Sequence, residues 1–188
     1  MAQNRWDPTA CHEDLTLIEP ERLVVQFTGE DRPGVPRYVF AERPIPKNGI
    51  FYYELNIISQ RTGTAIGLAT KPNPMLPSGL PPATYSCWVG GNSGLFWGHM
   101  AEGEWACWQG GQRPSFGAGD VIGCGVNLAT RRIIYTKNGE RLDTTNSFVP
   151  DSADDLFPIV ALSRRGDRIE ANFGPNFRFD NVEAINNI

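Results

Sequence analysis

Residues 119–139, GDVIGCGVNLATRRIIYTKNG, leave the chain few ways to fold. Over residues 121–128 the apolar positions alternate, with Ile122, Cys124, Val126 and Leu128 on one face of an extended strand. The other face carries Val121, Gly123, Gly125 and Asn127, and a strand that bare has another backbone or a large side chain lying close against it. Ala129-Thr130 makes a short reversal into a second apolar run, Ile133-Ile134-Tyr135. Asn138-Gly139 then supplies the strongest short hairpin signal, because both residues tolerate φ > 0. Two strands back to back and the opening of a third specify an antiparallel meander through the middle of a domain.

The rest of the chain is written the same way. Its 188 residues are enough for one proper core and too few for two comfortable domains. The apolar runs are short, rich in β-branched and aromatic residues, and separated by turns drawn from 20 Gly and 15 Pro. Strands are expected near residues 15–18, 23–27, 37–41, 50–58, 64–70, 85–89, 95–98, 104–108, 157–162 and 168–173. The run 50–58 places Phe51, Tyr53, Leu55 and Ile57 on one face. Residues 71–82 hold five prolines and cannot form a central strand. About a dozen short strands at this spacing read as an all-β, two-sheet antiparallel β-sandwich. An N-terminal segment (1–14) precedes the domain (15–180), with Trp6 expected to pack back on it, and a tail (181–188) follows.

Charge and cysteine usage narrow the function classes. A formal net charge of −4 argues against general nucleic-acid binding, which depends on neutralising phosphates. The pairs Arg131-Arg132 and Arg164-Arg165 read as solvated strand ends. Cys11, Cys87, Cys107 and Cys124 show no CxxC spacing, and no Asn-x-Ser/Thr sequon occurs, which suits a reducing compartment. These residues contain no apolar run of membrane length. Catalytic constellations fall short on inspection. Gly91-Asn92-Ser93-Gly94-Leu95 lacks the last glycine of a nucleophile elbow, and 123–128 lies inside a strand with no helix after it. Cys11-His12-Glu13-Asp14 has no second cysteine at ligand spacing, and His99 is far away in sequence. The expectation is a non-catalytic protein with no cofactor, no metal and no membrane contact.

In a sandwich, function gathers in end loops on a rigid scaffold. The end loops that carry arginine or aromatic side chains, rather than only turn formers, contain Arg32, Arg37 and Tyr38; Tyr85 and Trp88 after the proline-stiffened 71–82; Phe148; and Arg164 with Arg165. Tyr, Trp and Arg dominate interface energetics, and a stiff rim lowers the cost of ordering. The plainer reading makes Tyr85 and Trp88 core residues that close one sheet.

Several stretches also match a known family. Thr136-Lys137-Asn138-Gly139, Leu156-Phe157-Pro158 and Ile169-Glu170-Ala171-Asn172-Phe173-Gly174 resemble the SPRY domain. Pro44-Ile45-Pro46 and Gly49-Ile50-Phe51-Tyr52-Tyr53-Glu54 extend the resemblance to the Ran-binding protein M subgroup. A second set is similar to the secreted SPRY effectors of plant-parasitic cyst nematodes. It comprises Asn4-Arg5-Trp6-Asp7, Ala10-Cys11-His12, Asn92-Ser93-Gly94-Leu95-Phe96-Trp97-Gly98-His99, Val126-Asn127-Leu128-Ala129-Thr130-Arg131 and Asn172-Phe173-Gly174-Pro175-Asn176-Phe177.

The resemblance implies a bent sandwich whose loops at one edge bind protein partners, with Tyr85 and Trp88 at pocket-lining positions. The loop matching 163–166 carries a tryptophan in peptide-binding members, where this chain has Arg165 (or Arg164). That exchange removes an apolar wall and adds a cation, so an acidic or phosphorylated segment fits better than the subgroup's acidic-asparagine peptide. Asp120 and Lys137-Asn138-Gly139 match family hallmarks and read as turn-making and structural. The implied role is a monomeric effector secreted by the parasite, acting in the host cytoplasm or nucleus on a regulatory or immune-receptor protein. The alternatives are an endogenous cytosolic SPRY adaptor and a carbohydrate binder, the last without a calcium cluster of Asp and Asn.

Overall fold

Alternating apolar runs pair into two seven-stranded antiparallel sheets. The structure, a computed structural model, describes residues 3–32, 35–71, 84–90, 95–99, 105–108, 115–142, 148–149 and 155–180, with strands 84–89, 95–99 and 105–108 described by backbone alone. The first sheet runs β1 (Trp6–Cys11), β4 (Arg37–Ala41), β13 (Leu156–Leu162), β6 (Ala65–Thr70), β7 (Thr84–Val89), β8 (Leu95–His99) and β9 (Trp105–Trp108). The second runs β12 (Glu140–Arg141), β11 (Arg132–Lys137), β10 (Val121–Asn127), β5 (Ile50–Ser59), β14 (Arg168–Asn172), β3 (Val24–Phe27) and β2 (Leu15–Leu17). The described residues contain no helix.

The predicted strands are present, with one addition at an edge. Residues 6–11 are a strand of the first sheet rather than a segment merely packed on it, paired with β4. Trp6 is fully buried, donates its indole N–H to the Leu23 carbonyl (2.9 Å) and meets Phe173 edge-on (5.4 Å). The expected opening of a third strand is β12, which the Asn138-Gly139 turn creates by folding Glu140 back on Lys137. Both turn residues take positive φ, 53° and 86°.

The core lies between the sheets. Tyr53, Leu55, Ile57, Ile122, Cys124 and Val126 face Val39, Ile66, Leu68, Val160 and Leu162 in one buried cluster. Tyr53 crosses it, and its hydroxyl meets the carbonyls of Gly67 (2.7 Å) and Ile159 (3.1 Å) on the opposite sheet. This satisfies the one polar atom that the buried ring brings in.

The bare face of β10 turns away from the core and is closed from outside. A Cβ on Gly123 would sit 2.1 Å from the Tyr52 hydroxyl and 2.4 Å from Thr136 Oγ1, so the neighbouring aromatic is what requires glycine there. Gly125 pairs directly with Tyr52 and Ile134. Residues 174–180 then cross this face as a strap. Phe177 and Phe179 pack on Tyr52 at 4.9 and 5.5 Å, and the buried Glu54 carboxylate accepts the N–H groups of Arg178 (2.8 Å) and Phe179 (2.9 Å). The Tyr52 hydroxyl, hydrogen-bonded to Glu54 and Thr136, completes the seal.

Candidate functional site

Strand direction sends the informative connections to one end of the sandwich. β3 leads into residues 28–36, β5 into 60–64 and β13 into 163–167. One fully buried residue, Asp167, ties these loops together, the last two through its carboxylate. Its carboxylate accepts the backbone N–H of Arg61 (2.7 Å) on Oδ1 and those of Arg164 (2.9 Å) and Ser163 (3.2 Å) on Oδ2. Its carbonyl accepts from the Phe27 N–H (2.9 Å), and Gly166 N–H returns to the Phe27 carbonyl (3.0 Å). Asp31 adds a tie by accepting the Arg165 N–H (2.6 Å). A buried carboxylate without a cation is tolerated when backbone N–H groups saturate it in this way.

The side chains carried by this frame are cationic. Arg32, Arg61 and Arg165 are exposed and Arg164 is half-buried. Among the described residues none of the four reaches a carboxylate at salt-bridge distance. The exposed carboxylates on the same loops are Glu30 and Asp31. A protein of net charge −4 therefore presents a locally positive end.

Two of the expected partner-binding residues serve the frame instead. Arg37 is buried: its Nε donates to Asp14 Oδ2 (2.6 Å), its Nη1 donates to the Val35 carbonyl, and its guanidinium lies 5.4 Å over the Phe27 ring. The Arg37 hydrogen bond holds the Asp14 carboxyl below its ordinary range. Tyr38 is fully buried and edge-on to Phe40 (5.8 Å) on the outer face of the first sheet. Both positions begin β4, where a ladder of core neighbours encloses them; the sequence does not mark that the strand has already started.

Phe148 also lies elsewhere. It is half-buried, bridges Arg132 and sits 5.7 Å beneath that guanidinium. Arg132 pairs through Asn127 to Ile50 at the first residue of β5, whereas Arg168, next to Asp167, pairs with Ser59 at the last. Ten strand residues at about 3.3 Å each separate the two levels, so Phe148 and the arginine loops belong to opposite ends. Tyr85 and Trp88 are placed by backbone alone. Trp88 is paired with Ile66, a core residue, and the β6–β7 register skips Tyr85 at a bulge. Their side chains lie outside the described residues.

Asp120 and Asn138 act as read from the sequence. Asn138 Nδ2 donates to Asp120 Oδ1 (2.8 Å), and the Val121 N–H donates to Asn138 Oδ1 (2.9 Å). Burial alone would raise the Asp120 carboxyl, but bonds from Asn138, the Gly117 N–H and Lys137 outweigh it and lower it. No reactive thiol emerges at Cys11, which burial pushes up to about 12. Among the described residues no group of three or more His, Cys, Asp or Glu is placed to hold a metal ion.

The sequence profile of the SPRY domain matches residues 50–176. This chain belongs to the SPRY domain family. The family is a protein-interaction module. Among curated relatives, Ran-binding protein 9 of Homo sapiens is 32% identical over 93% of this chain, and Ran-binding protein 10 of Danio rerio 35% identical over 93%. The chain spans only 23% and 28% of those two proteins. The SPRY domain of human HERC1 superposes with a TM-score of 0.65 at 20% identity, covering 92% of this chain and 99% of that one.

Arg61 and Asp167 belong to the site and were not among the expected residues. Arg61 offered the same signal as Arg165, an arginine in an end loop, within Gln60-Arg61-Thr62-Gly63. Asp167 had only its place after the Gly166 turn to mark it, and its role depends on a loop about a hundred residues away in the chain.

Proposed function

We propose that this SPRY domain captures a protein partner with its arginine-bearing loop end, taking hold of an acidic segment, and that it does so as a monomeric effector secreted by a plant parasite and acting inside host cells. The observation that carries the binding reading is the placement of Arg61 and Arg164 on loops held to one buried carboxylate, with Arg165 tied to Asp31 next to Arg32, on a chain that is acidic as a whole. A pre-ordered cationic rim binds without first having to freeze its own loops. The effector reading is supported by the motif set of Asn4-Arg5-Trp6-Asp7, residues 92–99 and Asn172 to Phe177. Likeness to Ran-binding proteins 9 and 10 supports a second reading, an adaptor working in the cytoplasm of its own cell.

The binding reading is tested by using the purified chain and its Arg164→Ala/Arg165→Ala variant as baits in plant-cell extract, with captured proteins identified by mass spectrometry. The expected result is at least a tenfold loss of specific partners from a variant with unchanged thermal midpoint, because neither side chain is fully buried or salt-bridged among the described residues. Unchanged capture by the folded variant moves the binding edge elsewhere. A secretion leader in the transcript, together with the protein detected in infected plant tissue, supports the effector; a transcript without one favours the adaptor.

A further inference from the structure

We infer that Arg61, Arg164 and Arg165 form a phosphoryl-recognition point, so that the segment this end prefers carries a phosphorylated serine or threonine. The inference rests on the reading of the loop end as the binding edge and adds the chemical class of its ligand. Arg61 follows β5 and Arg164 follows β13, yet their main-chain nitrogens donate to the two oxygens of the same buried carboxylate, at 2.7 and 2.9 Å. Their spacing is thus set by Asp167 before any ligand arrives. Asp167 itself is saturated by three N–H groups and fully buried, which leaves the guanidinium groups to whatever binds.

Arginine's planar fork cannot lose its charge and takes two oxygens at once. A side-chain carboxylate offers two oxygens and one charge, which a single fork exhausts. A phosphoryl group offers three acceptor oxygens and close to two charges, which suits arginines brought together from two loops. Asp31, holding the Arg165 N–H, and its neighbour Glu30 oppose any anion here. Opposition and attraction both scale with the ligand's charge, so the excess of arginines over carboxylates on these loops is what favours the doubly charged ligand.

The test is an NMR titration of the full, isotopically labelled chain with acetyl-Gly-phosphoSer-Gly-amide and, in parallel, with the same peptide carrying Glu. The phosphopeptide should shift the amides of Arg61, Ser163, Arg164 and Arg165 and bind roughly tenfold tighter than the Glu peptide, as expected when charge-assisted bonds are added. Arg61→Ala, at an exposed position, should reduce phosphopeptide affinity about tenfold while Lys47→Ala, at the far end, leaves it unchanged. Equal affinity for the two peptides at the same amides overturns the phosphoryl preference but leaves the loop end an anion-binding edge. No shift at these amides, with partner capture still lost in Arg164→Ala/Arg165→Ala, overturns the phosphoryl point alone. Retained capture by that folded variant removes the binding edge and the inference with it.

Discussion

Glu54 and Asp167 are both buried carboxylates that accept main-chain N–H groups from distant parts of the chain, and they stand at regions with opposite uses. At Glu54 the donors are Arg178 and Phe179, and the rings of Phe177 and Phe179 fold back onto Tyr52. At Asp167 the donors are Arg61, Ser163 and Arg164, and the side chains of Arg61 and Arg165 stay in water. The fastening chemistry is the same in both. What differs is where side chains of the fastened segments go: the rings of Phe177 and Phe179 close one surface, whereas the guanidinium groups of Arg61 and Arg165 face solvent at the other.

The most severe way to break the comparison is to fill the sealed face from beneath. Gly123→Val places two methyl groups where the first added carbon already lies 2.1 Å from the Tyr52 hydroxyl, so Tyr52 must move and lift the strap. We expect a loss of roughly 3 kcal/mol or more in urea unfolding, at the upper end for overpacked cores. A midpoint within error of the parent would show that the strap does not depend on Tyr52. Glu54→Ala is next. It removes the acceptor of two strap N–H groups and of the Tyr52 hydroxyl, for about 2–3 kcal/mol. Hydrogen exchange should quicken at residues 178 and 179 while the loops at Asp167 stay protected. Faster exchange at Arg61 or Arg164 would mean the two regions are not independent.

Local pattern made most of the scaffold legible. Alternation over residues 121–128 placed Cys124 in the core, and Asn138-Gly139 announced the turn that creates β12. The bare face was legible as a close approach, but its cover was not. Phe177 and Phe179 stand among Asn, Pro and Arg, and only the fold brings Glu54 beneath their backbone, more than a hundred residues away. The site was half legible for the same reason. Arg32, Arg164 and Arg165 announce themselves as arginines in end loops, but residue type alone does not distinguish them from Arg37, which a strand start and Asp14 enclose. Phe148 stood out in a polar loop, and nothing near it in sequence reveals its pairing with Arg132.

The smallest predicted effect separates the two regions by pH. The loop end also leans on Asp14, whose carboxyl the Arg37 hydrogen bond holds low and whose carbonyl accepts the N–H groups of Thr28 and Gly29. A carboxylate with a depressed folded pKa contributes stability that is fully present above its unfolded value, about 3.9, and lost as pH falls through the folded one. Arg37 does not titrate in this range, so the change belongs to Asp14. Asp14→Asn keeps the side chain's shape and the carbonyl contacts but cannot gain or lose that charge. Between pH 5 and 7 the parent should exceed the variant by about 1 kcal/mol, modest because Asp14 is partly solvated. Below the folded pKa the difference should vanish. Asp7 and Asp120, also held low, are common to both proteins and cancel in the comparison. A gap that has not narrowed by pH 2.5 would mean that the Asp14 charge is not its source. The strap, crossed by Asp14→Asn nowhere, should show the same exchange at residues 178 and 179 in parent and variant throughout.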